Sequence, residues 1–183
     1  MTDLTDDFPP FSPAFSPGPH DVPPYLKLLN LGDGAGAAEA VRTVTTCLKE
    51  SSERDDEVVN LLTATPNWRP HLVGCIALLS AERTNRTDDA LVEAGCQFSW
   101  VAPQLLATMS LLDPPNWAPR VRRSILDRQD PKAASAFQAL KADGSLDLLV
   151  LSGLDRDYGG RIALGWRERI GAIFDDAGVQ RTW

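Results

Sequence analysis

The side chains with which this 183-residue chain could do chemistry are few: two histidines, three cysteines and a group of arginines. His20 stands in a proline-rich stretch and His71 near a helix start. No Ser or Cys sits in a recognisable nucleophile elbow with a histidine as its base. Cys47, Cys75 and Cys96 are odd in number, match no metal knuckle and lie among apolar or small residues, so buried thiols are expected. "LGDGAGAAEA" at 31–40 has glycines ahead of a helix but lacks both the dinucleotide fingerprint and the Gly-Lys-Ser/Thr of a phosphate loop; it reads as a turn. "DRDYGGRI" at 155–162 places Asp155, Asp157, Gly160 and Ile162 where an EF-hand calcium loop needs them, yet Gly159 and Trp166 occupy two of its ligand positions. A helix cap at Asp157 is the simpler reading. Arg120, Arg122, Arg123 and Arg128 open one helix, and Arg120, Arg123 and, less closely, Arg128 could share a face that holds a carboxylate or phosphate. The expectation is a non-enzymatic protein with no cofactor and no metal. The alternative is a small-ligand or phosphate binder, or an enzyme, using the Arg69/His71 or Arg120–Arg128 region.

The elements that must position these groups are helices. "GAGAAEAVRTVTTCLKE", "RDDEVVNLLTA" and "GGRIALGWRERIGAIFDDAG" all carry apolar residues at spacings of three and four. In "DPKAASAFQALKADG", Asp130 caps, Pro131 opens and Gly144 closes a helix. In "TDDALVEAG", Thr87 is expected to cap and Gly95 to stop another. "LDLLVL" at 146–151 is ambiguous between strand and buried helix, and its helical surroundings favour helix.

One pattern recurs. "RPHL" at 69–72, "APQL" at 102–105 and "APRV" at 118–121 each follow a tryptophan: Trp68, Trp100 and Trp117. Proline as the first helical residue costs no hydrogen bond, so each tryptophan should lie just outside a helix, with Trp68 folded back over Val73 as a hydrophobic staple. Recurrence of such a start predicts stacked helical hairpins. "LLDPPNWAPRVRRSIL", residues 111–126, resembles the HEAT-like repeats found in phycobilisome lyases and many bacterial proteins of varied role; residues 61–79 resemble them more loosely. In those repeats an apolar helix ends, an Asp-Pro-Asn turn follows and a Val-Arg pair opens the next helix, as Val121 and Arg122 do here. Pro119 and Pro70 in the turn and the missing alanine-rich half depart from the pattern. The resemblance implies an all-α, short α-solenoid-like fold and a protein-binding role, and it implies no lyase activity.

Composition supplies the rest of the expectation. With 43% hydrophobic and 23% charged residues the chain is that of a globular protein. Half of the 14 prolines fall within residues 1–24, predicting an extended or disordered tail ahead of a single helical domain at 25–183. The start has neither the basic residues nor the apolar run of a secretory signal, so a cytoplasmic location is expected. Net charge is −7, all of it carried by residues 1–60. An acidic field argues against nucleic acid and is compatible with a basic protein partner, as for an antagonist of a basic toxin. No membrane association is expected. Interface hot spots favour tryptophan and arginine, so Trp68, Arg69, His71, Trp100, Trp117, Arg120 and Arg123 are the candidate partner-binding residues.

Overall fold

The computed structural model describes residues 4–17, 22–64, 67–141 and 158–183. Among them all regular structure is helical. The order is α1 (Leu4–Asp7), a 3-10 turn (Pro9–Phe11), α2 (Ser12–Phe15), α3 (Pro24–Leu28), α4 (Gly34–Glu50), α5 (Arg54–Thr63), α6 (Trp68–Leu79), α7 (Asn85–Cys96), α8 (Ala102–Leu112), α9 (Trp117–Arg128), α10 (Pro131–Lys141) and α11 (Tyr158–Ala177). "LDLLVL", Gly144 and the first three residues of the calcium-loop-like stretch lie outside the described residues.

Local chemistry explains several helix starts. The Asp33 carboxylate accepts from Gly36 N at 3.3 Å and opens α4, and the Asp130 carboxylate accepts from Ala133 N at 2.8 Å to open α10. Both satisfy a backbone N–H that the first turn would otherwise leave unpaired. Asp33 also fills the space above Gly36, which leaves that glycine turn with a carboxylate where a phosphate would sit. In α7 the cap is Thr84, whose side chain and that of Thr87 bond each other's backbone N–H. Gly95 does not end this helix; it lies within α7, where the terminal methyl of Met109 in α8 packs into the space a Cβ would take.

The three tryptophan-proline starts differ from expectation in register. α6 and α9 begin at the tryptophans themselves and α8 begins at Ala102, placing Pro70, Pro103 and Pro119 in the second or third helical position. The first four N–H groups of any helix lack an intrahelical acceptor, so proline is tolerated throughout that first turn.

Helices α4, α6, α8 and α10 pack side by side, α5, α7 and α9 form a second row against them, and α11 lies on α4, α8 and α10. Residues 70–79 of α6 and 102–109 of α8 are buried on every side. Apart from His71, Gln104 and Thr108 these segments are apolar all round, as suits helices covered on both faces. Arg83 joins the rows: its guanidinium donates to both carboxylate oxygens of Asp88, at 2.9 and 3.0 Å, and to the carbonyl of Leu112 at the end of α8.

Residues 4–17, expected to be extended or disordered, instead wind through three short helical turns against α3 and α4. Leu4, Phe8, Phe11, Ala14 and Phe15 enter the core, and Phe11 is completely buried. Proline restricts the residue before it but is accepted in a first helical turn. The turns here are only three or four residues long, so nearly every position is a first turn.

The start of α11 depends on a bare backbone. Gly159 lies so close to the carbonyl of Lys132 in α10 that a Cβ would collide with it, and a Cβ on Gly160 would come within 3.2 Å of the carbonyl of Ser135. Gly159→Ala must push two helices apart, and we expect a loss of about 1–3 kcal/mol, read as a lower denaturant midpoint with an unchanged slope.

Candidate functional site

Four helix starts meet at one place. Trp68 and Arg69 open α6, Trp100 precedes α8 by two residues, Lys132 is in the first turn of α10 and Tyr158 opens α11. Tyr25, on α3, extends the line. The Tyr25 and Trp68 rings meet edge to face with centroids 5.9 Å apart, and Trp68 and Trp100 lie 4.9 Å apart. The Arg69 guanidinium stands 5.2 Å from the Trp68 ring and 5.9 Å from that of Tyr25. Its Nε donates to the Tyr25 hydroxyl at 3.1 Å. Lys132 Nζ sits 5.0 Å from the Trp100 ring and 5.8 Å from that of Tyr158, donating to the Trp100 carbonyl at 2.6 Å. The strip therefore sets each cation between two rings, an arrangement in which the ring quadrupoles hold the cation. Trp100 is 54% exposed and Tyr158 49%.

Packing beneath the strip holds it in place. The carbonyls of Leu28, Leu29 and Asn30 follow α3 and need partners. Trp166 Nε1 donates to the first at 3.0 Å, Gln104 Nε2 to the second at 2.8 Å and Arg169 to the third at 3.1 Å. Side chains of α8 and α11 thereby fix the short helix that carries Tyr25. Two bulky residues adopt left-handed backbone beside the strip, Leu31 at φ 50° and Phe98 at φ 51°. Non-glycine residues pay for that conformation in steric strain and keep it only where the surroundings enforce it. Burial holds Lys132 below the usual lysine range, opposed by the nearby charge of Asp130.

The candidate residues separate into three groups. Trp68, Arg69 and Trp100 come together in the strip, with Trp68 against Trp100 and Tyr25. His71 and Trp117 do not belong to any surface. His71 is 1% exposed; two residues beyond Arg69 on a helix, it points away from it and into the core. Burial lowers its imidazole to about 4, opposed by the Ala64 backbone, and among the described residues neither ring nitrogen has a partner in hydrogen-bond geometry. Trp117 is 2% exposed, donates from Nε1 to Asp113 at 2.9 Å and packs edge-on against Phe137.

Arg120, Arg123 and Arg128 do line one cleft, of about 420 Å³, between α7 and α9. Arg120 pairs with Asp89 at 3.1 Å, Arg128 donates to the Gln97 carbonyl at 3.0 Å, and Glu93 shares the lining. The arginines face the carbonyl end of α7, where the helix dipole is negative and cations are stabilised without any ligand. Two of the three are thus committed to the fold.

Cys47 and Cys75 are buried and Cys96 is half-buried, all three free. Burial pushes the Cys75 thiol up to about 12 and raises that of Cys47, removing the thiolate that nucleophilic chemistry requires. Among the described residues no three His, Cys, Asp or Glu side chains are grouped to hold a metal, and no helix is long and apolar enough to cross a membrane. Tyr25, Lys132 and Tyr158 are the strip residues that sequence reasoning missed. Nothing in their local spacing marks them, since each reaches the strip from a different helix.

Comparison with protein-family profiles, with curated proteins and with solved structures gives no significant match.

Proposed function

We propose that this chain is a non-enzymatic, protein-binding helical module whose recognition surface is the strip of Tyr25, Trp68, Arg69, Trp100, Lys132 and Tyr158. The observation that carries the reading is the half-exposed Trp100, its ring tilted against that of Trp68, with Lys132 beside it and Arg69 beside Trp68. Rigid aromatics and arginine lose little entropy on docking and dominate interface energies. The two helical rows support the finer reading of a short HEAT-like stack of hairpins, with α11 laid across one row. That family is used mainly for binding other proteins, and antagonism of a partner is the specific role such a surface fits. Among the described residues the acid-rich first third contributes Tyr25 to the strip, so the cations of the strip itself are the nearer guide to the partner's charge.

A photo-crosslinking residue at position 100, compared with one at the exposed Ala172, tests the reading in the native host. One stoichiometric partner should be captured from position 100 and not from 172. Trp100→Ala should abolish capture by an affinity-tagged chain while costing only about 1–2 kcal/mol of stability, the loss of one aromatic pair and a half-buried ring. Equal capture from both positions, or capture undiminished in Trp100→Ala, would overturn it.

A further inference from the structure

We propose that the strip takes an extended, proline-rich and acidic segment of its partner; this rests on the reading of the strip as a protein-binding surface and names the chemistry it selects. The first observation concerns indole donors. The buried tryptophans Trp117 and Trp166 donate from Nε1 to Asp113 and to the Leu28 carbonyl. Trp68 and Trp100 have no acceptor for theirs among the described residues. The strip thus offers two unused N–H donors on an apolar aromatic floor. A helical partner has its carbonyls occupied by its own hydrogen bonds. A polyproline II segment has none internally, so every carbonyl is free to accept. Its pyrrolidine rings are flat, apolar and already ordered, and they dock on aromatic surfaces with little entropy left to lose.

Charge supplies the second argument. Arg69 and Lys132 lie within the strip, and the first turns of α6, α8, α10 and α11 gather around it with their positive dipole ends. Asp130, the acid beside Lys132, is engaged in capping α10. Carboxylates on the occupant complement this field. Length is the third. The path from Tyr25 through Trp68, Trp100 and Lys132 to Tyr158 runs for at most about 22 Å, the reach of about seven polyproline II residues at ~3.1 Å each. Rings and cations also serve single-stranded nucleic acid, but two cations on a path of that length, in a chain of net charge −7, are a small footprint for a phosphate backbone.

The test follows the indole Nε1–H resonances of the full chain by nitrogen–proton correlation spectra, with Trp68→Phe and Trp100→Phe variants for assignment. The probes are the synthetic peptides Ac-DPPDPPDPP-NH2, Ac-KPPKPPKPP-NH2 and Ac-DGGDGGDGG-NH2, and the oligonucleotide (dT)10. The acidic proline peptide should shift the Trp68 and Trp100 signals, leave those of Trp117 and Trp166 in place, and bind at least tenfold tighter than the other three probes. Trp100→Ala should weaken it at least tenfold, and Lys132→Glu should turn the preference toward the lysine peptide. Equal binding of the acidic proline and glycine peptides would overturn the proline chemistry, and tighter binding of (dT)10 would assign the strip to nucleic acid instead. If no peptide moves the two signals while crosslinking from position 100 persists, the partner surface stands and its proposed ligand falls. If both fail, the strip is not a recognition surface.

Discussion

Replacing Phe11 by alanine should lower stability by about 3–5 kcal/mol, the range for truncating a fully buried aromatic. Phe11 belongs to a proline-rich segment that composition alone would class as dispensable. It is nevertheless inaccessible to solvent, and its neighbours Phe8 and Phe15 pack on each other with ring centroids 5.7 Å apart. Phe15 in turn lies 6.1 Å from Tyr25, the first ring of the strip. Deleting residues 1–17 uncovers α3 and α4 together, exposing three phenylalanines' worth of apolar contact at about 1.5–3 kcal/mol each. That is comparable with the whole stability of a domain of this kind. Denaturant unfolding of Phe11→Ala and of the deletion, beside the exposed control Pro13→Ala, measures the effect. A deletion with the stability of the full chain would mean that the segment only decorates the surface. Because Phe15 supports Tyr25, the deletion should also disorder the strip and broaden the Trp68 indole signal.

Acid should destabilise the fold through His71. Its imidazole is buried, neither nitrogen has a hydrogen-bond partner among the described residues, and it is lowered from an ordinary value near 6.5 to about 4. Between these two values the unfolded chain binds a proton that the folded chain refuses. Stability therefore rises with pH across that window. The contribution is complete above the unfolded value and is lost as pH falls toward the folded one. At about 1.4 kcal/mol per pH unit, the window accounts for up to about 3 kcal/mol. His71→Leu removes the titrating group and leaves no unpaired nitrogen in the core, so it should flatten the stability profile from pH 6.5 to 4 and cost little at pH 7. Denaturant midpoints of the two proteins at pH 7, 5.5 and 4.5 decide the matter. Parallel profiles would show that His71 finds a hydrogen-bond partner in solution. Since His71 lies one turn after Trp68, its protonation should also loosen the start of α6, and tryptophan fluorescence should change in the same pH window.

Local sequence carried the helical class and most helix boundaries, because the signals that start and stop a helix act within about four residues. Asp130 ahead of Pro131 caps the helix that its position predicts, and the structure adds a cap of the same kind at Asp33 ahead of "GAGAAEA". The recurring tryptophan-proline pattern marked three helix starts correctly to within two residues. Where each tryptophan ends up was not legible. Trp100 is exposed while Trp117, in nearly the same local context, is in the core. The difference is made by Phe137 of α10, which packs against Trp117, whereas Trp100 meets only the tilted ring of Trp68 and the Lys132 ammonium among the ring and cation contacts of the described residues and stays half exposed. The proline-rich leader misled for the same reason: proline content reports what a backbone resists, not what its phenylalanines find to pack against. Burial and convergence depend on chain distant in sequence, as when Trp166 caps a carbonyl 138 residues away. Sequence therefore determined the helices and the rings available to them. Tertiary packing alone decided which rings face water, because exposure belongs to the neighbours a side chain lacks.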